Sequence, residues 1–212
     1  MNLVEYAYLQ HTAEKTGHPW VLPPGYQLIK VLRSTPRGAF AKNEVFGFIA
    51  RHQNNIEVVF RVTDSHHDWL SDGNLDLIPH RIGGNVHEGG YKLYEQMRDA
   101  IESVVLANPG GGVNIKGHSL GCWLATFCAA DLAFYEPKVF LYAPPRPGDV
   151  QFASAFNTIC TDVTRYANSE DIVPTLPTPH HYCHVGRPVY FTKHTGDVVK
   201  NHAMSLYDEA TK

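Results

Sequence analysis

An α/β domain with a mostly parallel central sheet flanked by helices is the fold class this sequence predicts, and three observations carry the expectation. After an opening hairpin pattern, short β-branched runs alternate with helical stretches to the end of the chain, which is the signature of βαβ units. The run Val139–Ala143 is continuously apolar, as a strand covered on both faces must be. The chain has 212 residues, 43% hydrophobic and 18% charged, enough to bury one core without disulfide or metal staples. It therefore reads as a single domain, 1–212.

The elements follow in order. Leu3–Lys15 reads as a helix stopped by Gly17 and Pro19, and Pro23-Pro24-Gly25 as a connector. Val45–Ala50 and Ile56–Val62 flank Gln53-Asn54-Asn55, which predicts an antiparallel hairpin. Ser65–Gly84 is polar and broken by glycines and Pro79, with Trp69 and Leu70 inside it. A structureless stretch of that length in a compact domain points to a lid or binding loop. Tyr94, Met97, Ile101, Val104 and Val105 recur at helical spacing within Glu88–Ala107, so one face of that helix is buried. Asn108-Pro-Gly-Gly-Gly ends it. Strands are then expected at Val113–Lys116, Val139–Ala143, Val163–Ala167 and Val189–Thr192, and helices at Ser119–Tyr135, Asp149–Phe156 and His202–Ala210.

Several functional classes are excluded or left without support. A net charge of -3 provides no electrostatic footprint for nucleic acid. No run approaches the 18 or more apolar residues expected of a membrane span. The start, Met-Asn-Leu-Val-Glu-Tyr, has neither a basic nor an apolar leader region, so no signal peptide is expected and a cytoplasmic address is the default. Cys122, Cys128, Cys160 and Cys183 form no CxxC and read as reduced, small buried hydrophobes.

Gly117-His-Ser-Leu-Gly121 matches G-x-S-x-G between a strand-like run and a long apolar helix. That is the context of a nucleophile elbow, in which a strained turn lifts the serine hydroxyl above the sheet. Ser119 is the expected nucleophile. A serine needs a base, and the base an orienting acid. Asp131, Asp149, Asp162, Asp171, Asp197 and Asp208 follow it. Asp171 is favoured because it comes directly after a strand, in a loop stiffened by Pro174. For the base, His180, His181, His184, His194 and His202 compete, and chain order alone does not choose among them.

Taken together, these pieces resemble the class 3 lipases, the fungal-lipase-like branch of the α/β-hydrolases, from about Val45 to Tyr207. Phe60-Arg-Val-Thr-Asp-Ser65 and Asp68-Trp-Leu-Ser-Asp72 resemble the family's strand end and following D-W-x-x-D. Val86-His-Glu-Gly-Gly-Tyr91, Gly117–Gly121, Ala143-Pro-Pro-Arg-Pro-Gly-Asp149, Asp171-Ile-Val-Pro-Thr-Leu-Pro177 and Asn201-His-Ala-Met-Ser-Leu-Tyr207 match its later motifs in order. The resemblance implies an α/β-hydrolase fold with a short lid segment at 65–77. It implies Ser119, Asp171 and His202 as the triad, and Thr63 and Leu120 as the oxyanion hole. Trp69 and Leu70 become the lid's substrate contacts. The implied activity is cofactor-free and metal-free hydrolysis of acylglycerols or other short-to-medium acyl esters, with transient contact to a lipid interface. The alternatives are a phospholipase acting on membrane lipid, or a non-catalytic lipase-like module that binds a lipid or partner.

Two departures from the family pattern stand out. Val62 replaces a glycine before Thr63, and Cys122 and Trp123 replace small residues after the elbow, which is expected to narrow the helix–sheet contact. The lid's few apolar residues (Trp69, Leu70, Leu75, Leu77) make a weak membrane-facing surface, which favours soluble or small acyl esters. His180-His-Tyr-Cys-His184 is expected to be ordinary loop histidines rather than a zinc site, and Arg146 to organise the loop after its strand.

Overall fold

The computed structural model describes residues 2–34, 44–61 and 75–211. The Asn2 side chain accepts a hydrogen bond from the Val4 N–H and caps α1 (Leu3–Lys15). The chain continues through β1 (Tyr26–Arg33), β2 (Val45–His52), β3 (Asn55–Phe60), β4 (Leu77–Pro79) and β5 (Asn85–His87) to α2 (Glu88–Leu106). There follow β6 (Val113–His118), α3 (Gly121–Asp131), β7 (Lys138–Tyr142), α4 (Val150–Ile159), β8 (Val163–Asn168) and β9 (Arg187–Phe191). Two short helices, α5 (Val198–Asn201) and α6 (Met204–Ala210), close the described chain.

Seven strands form one sheet in the order β1-β2-β3-β6-β7-β8-β9. β1, β2 and β3 pair antiparallel, and β3 through β9 pair in parallel. Because successive side chains on a strand point to opposite faces, two hydrophobic clusters result. Ile49, Val58, Phe60 and Ile115 pack against α2, α3 and α4 on one face. Phe48, Val59 and Tyr142 pack against Leu3, Val4 and Ala7 of α1 and Met204 and Tyr207 of α6 on the other. The mostly parallel sheet covered on both faces agrees with the fold class expected from sequence. Its carboxyl edge, where open α/β sheets place their sites, receives the ends of β6, β7 and β8.

Four differences from the expected elements have physical causes. β1 was not anticipated: it is an edge strand whose residues are mostly part-exposed, so its sequence carries no buried run. The stretch read as structureless contains β4, which pairs with β5 just beyond its end; each strand has three residues, too short to produce a pattern. The helix after the elbow is shorter than Ser119–Tyr135, ending at Asp131 before a 3-10 turn at Ala133–Tyr135. The last expected helix, His202–Ala210, begins only at Met204, and the separate short helix α5 ends just before His202.

His80 lies in the β4–β5 turn and is 5% exposed, edge-on to the rings of Tyr91 and Phe152. Its Nε2 has no hydrogen-bond partner among the described residues, and burial pushes its pKa down to about 4. The value in the unfolded chain is near 6.5. Between those limits the unfolded chain binds a proton that the folded protein refuses, so stability falls as pH drops from 6.5 to about 4. The decline is on the order of 3 kcal/mol, from about 1.4 kcal/mol per pH unit. Urea midpoints measured from pH 7 to pH 4 should show it, and His80→Phe should make the decline shallower; an unaltered decline in the variant would remove His80 as a cause.

Candidate active site

β6 runs straight into α3 through Ser119, a non-glycine residue at φ +57. This left-handed backbone costs on the order of 1–3 kcal/mol. It persists because both neighbours fix it. The Ser119 N–H donates to Tyr142 O of β7 at 2.9 Å. A Cβ on Gly117 would run into the Gly121 carbonyl group, and one on Gly121 would sit 2.9 Å from Phe60 O, so the strand–helix approach demands glycine at both positions. Cys122 faces the sheet, its thiol donating to Gly117 O and Tyr142 O. Burial pushes that thiol well up, so it stays protonated and inert. Trp123 does not narrow the helix–sheet contact as expected. It turns to the start of α2, where it stacks on His87 with ring centroids 4.0 Å apart and donates its Nε1–H to Arg146 O.

Three residues separated by up to 83 positions converge at this turn. His202 Nε2 lies 2.8 Å from Ser119 Oγ, and His202 Nδ1 lies 2.8 Å from Asp171 Oδ2. All three are buried. With Nδ1–H donating to the carboxylate, Nε2 is left as the acceptor for the serine hydroxyl. Asp171 Oδ1 accepts the Val173 N–H at 2.9 Å, and Oδ2 also accepts the Tyr207 hydroxyl at 2.7 Å. Burial and the adjacent Asp171 charge raise the Tyr207 pKa, so its hydroxyl remains a donor. The same hydroxyl oxygen accepts the Asn168 N–H at 3.1 Å.

The segment carrying His202 is fixed largely by polar contacts. Asp197 caps α5 by accepting from the Val199 and Lys200 N–H groups. Asn168 Nδ2 donates to Asn201 O and Lys193 O, and Asn201 Nδ2 donates to Glu170 O. His118, the first variable residue of the pentapeptide, donates through Nε2–H to His202 O at 2.9 Å; its Nδ1 accepts the Tyr8 hydroxyl at 2.7 Å. Tyr8, His118, Asn168, Asn201 and Tyr207 were not singled out from sequence. His118, Asn201 and Tyr207 lay inside motifs that could have marked them.

The competing acids are engaged elsewhere. Asp149 caps α4 and binds Asn85, Asp131 pairs with Arg81 and Tyr94, and Asp162 faces Lys138. Among the competing bases, His194 pairs with Glu170 at the surface. His184 lies 2.8 Å from Pro174 O through Nε2, and burial pushes its pKa down to about 4. Among the described residues, no group of three His, Cys, Asp or Glu side chains could hold a metal. Arg146 Nη1 donates to Thr175 O and Pro177 O, tying the β7 loop to the Asp171 loop.

The Leu120 N–H, at the amino end of α3, donates to no acceptor among the described residues, so it is available to an incoming oxygen. Thr63, Trp69 and Leu70 lie outside the described residues, as does the candidate lid at 65–77 except for its last three residues; of these, Leu77 opens β4.

The sequence profile of the class 3 lipases matches residues 57–181. A lipase of Rhizomucor miehei is 30% identical over 164 residues, 70% of this chain and 45% of the relative. A secreted mono- and diacylglycerol lipase A of Penicillium cyclopium is 30% identical over 174 residues, 76% of this chain and 57% of the relative. This chain thus spans about half the length of those relatives. A solved structure of the Rhizomucor miehei triacylglyceride lipase superposes with a TM-score of 0.73 and 25% identity, over 90% of this chain and 79% of that one. A further structure, of a triacylglycerol lipase whose catalytic centre is a serine protease triad, superposes at 0.70 and 25% identity over 81% of this chain and 69% of that one. The α/β-hydrolase fold is common to them and to this protein, and with the family profile spanning the elbow and the Asp171 loop, the chain belongs to the class 3 lipase family.

Proposed function

We propose that this protein is a serine carboxylic ester hydrolase acting on acylglycerols or other short-to-medium acyl esters through an acyl-enzyme. The observation that carries the proposal is the continuous hydrogen-bonded line Ser119–His202–Asp171, with both links at 2.8 Å, mounted on a left-handed strand-to-helix turn. Family membership and the acylglycerol lipases among the relatives support the substrate class.

In the first half of the reaction, Ser119 Oγ attacks the ester carbonyl carbon while its proton passes to His202 Nε2. The carbonyl oxygen becomes negative and faces the Leu120 N–H, with Thr63 as the proposed second donor. Asp171 holds the tautomer and stabilises the imidazolium. The C–O bond to the alcohol then breaks, its electron pair stays on the alcohol oxygen, and that oxygen takes the proton from His202. Water repeats the cycle on the acyl-serine and releases the acid. Each step uses only side-chain and backbone groups of this chain together with water.

Hydrolysis of p-nitrophenyl esters from acetate to palmitate tests this proposal. Ser119→Ala should fold normally and lose about 10⁴–10⁶ in kcat, with wild-type rates highest at short to medium chains. A variant retaining most of its activity would overturn the nucleophile assignment.

A second prediction concerns Tyr207. Tyr207→Phe removes one donor from the buried Asp171 carboxylate and the acceptor of the Asn168 N–H. We expect kcat to fall about tenfold with KM unchanged, and the urea midpoint to drop by the equivalent of about 1–3 kcal/mol. An unchanged kcat would show that the hydroxyl has no part in positioning Asp171.

A further inference from the structure

His118 ends β6, directly precedes the nucleophile and is buried. Its Nε2 lies 2.9 Å from the main-chain oxygen of His202, and its Nδ1 lies 2.7 Å from the Tyr8 hydroxyl of α1. A carbonyl oxygen can only accept, so the proton of the neutral imidazole belongs on Nε2. Nδ1 is then a lone pair that only a donor satisfies, and the Tyr8 hydroxyl is that donor. The rings of Tyr8, His202 and Tyr207 box the imidazole, with centroids 5.8, 4.8 and 6.0 Å away. What stays free in His118 is which nitrogen carries the proton. Tyr8 is held in its turn: the fully buried Arg61, whose Nε–H donates to Val45 O, places its guanidinium 5.8 Å from the Tyr8 ring centroid.

With the proton on Nε2, the residue next to the nucleophile is bonded to the main chain of the base. With the proton on Nδ1, a nitrogen lone pair would face the His202 carbonyl oxygen and push residue 202 away from β6. The Ser119–His202 link of 2.8 Å tolerates little of that, because a misplacement of about 1 Å costs on the order of 100-fold in rate. We infer that Tyr8 is a positioning residue: its hydroxyl locks His118 in the Nε2–H tautomer, and His118 in turn holds His202 at hydrogen-bond distance from Ser119. The inference rests on the Ser119–His202 mechanism proposed above. The base is then held by two tautomer locks. Asp171 acts on the His202 ring itself, and Tyr8 acts through His118 on the His202 main chain. Helix α1, which precedes the residues 57–181 matched by the family profile, becomes part of the active site without touching the ester.

The test combines kinetics on p-nitrophenyl butyrate with heteronuclear NMR of the histidine ring nitrogens in isotopically labelled protein. In wild type, His118 should show a protonated Nε2 and an unprotonated Nδ1. In Tyr8→Phe both signals should move toward intermediate positions as the two tautomers mix. The same variant should lose about tenfold in kcat with KM unchanged. His118→Gln supplies a side-chain N–H that depends on no tautomer, so it should stay within about threefold of wild type, and adding Tyr8→Phe to it should cost less than about twofold. Circular dichroism checks the fold of each variant. A proton on Nδ1 of His118 in wild type, or ring-nitrogen signals or a kcat that Tyr8→Phe leaves unmoved, overturns the inference while leaving ester hydrolysis intact. So does a glutamine variant slower than Tyr8→Phe, or an equal loss from Tyr8→Phe in both backgrounds. Absence of turnover on every ester by folded wild-type protein would instead sink the hydrolase proposal, and this inference with it.

Discussion

One backbone conformation organises this molecule: the left-handed turn at Ser119 between β6 and α3. It directs the hydroxyl over the carboxyl edge of the sheet and leaves the Leu120 N–H at the start of α3 beside it. An ordinary residue avoids this conformation by on the order of 1–3 kcal/mol. The surroundings over-determine it: every residue of α3 from Gly121 to Ala130 is buried, and the turn relaxes only if that helix lifts from the sheet. Gly117 and Gly121 permit the approach; the hydrophobic burial of α3 enforces it.

The histidine is held in another way. Its segment carries the exposed apolar residues Val198 and Val199, and it is located by hydrogen bonds from Asn168, Asn201 and His118. Those bonds reach into β8 and, through Tyr8, into α1. Buried hydrogen bonds to a charged group contribute roughly 1.5–3 kcal/mol each, and Asp171 accepts from Val173, Tyr207 and His202. The acid loop is thus rigid enough to orient the imidazole. The N-terminal helix belongs to the same polar network as the base, so changes in α1 are coupled to the histidine's position.

Much of this was legible in the sequence because it depends on local rules. The pentapeptide at 117–121 has to combine two glycines with a serine, and the sheet strand Val139–Tyr142 is an unbroken apolar run. Asp171 was legible because a strand end and a proline frame it. What escaped has weak local signals. β1 is an edge strand with charged and polar residues interleaved, and β4 and β5 are three residues long. Tyr8, Asn168 and Tyr207 are ordinary residues until the fold brings them within hydrogen-bond reach of partners up to 110 positions away. His202 could be separated from its four competitors only by family resemblance, because a histidine's partners are set by tertiary structure. Trp123 was misjudged because the helical position one residue past Cys122 rotates its side chain away from the sheet and toward His87.

The nucleophile can be tested directly by trapping the acyl-enzyme. Acid quenching of the reaction with p-nitrophenyl butyrate in its first milliseconds, followed by peptide mass spectrometry, should reveal a butyryl adduct on Ser119 in wild type, with more of it in a variant that deacylates slowly. Turnover without any adduct, or an adduct on a different residue, would contradict the assignment of Ser119 as the group that the elbow, His202 and Asp171 together activate.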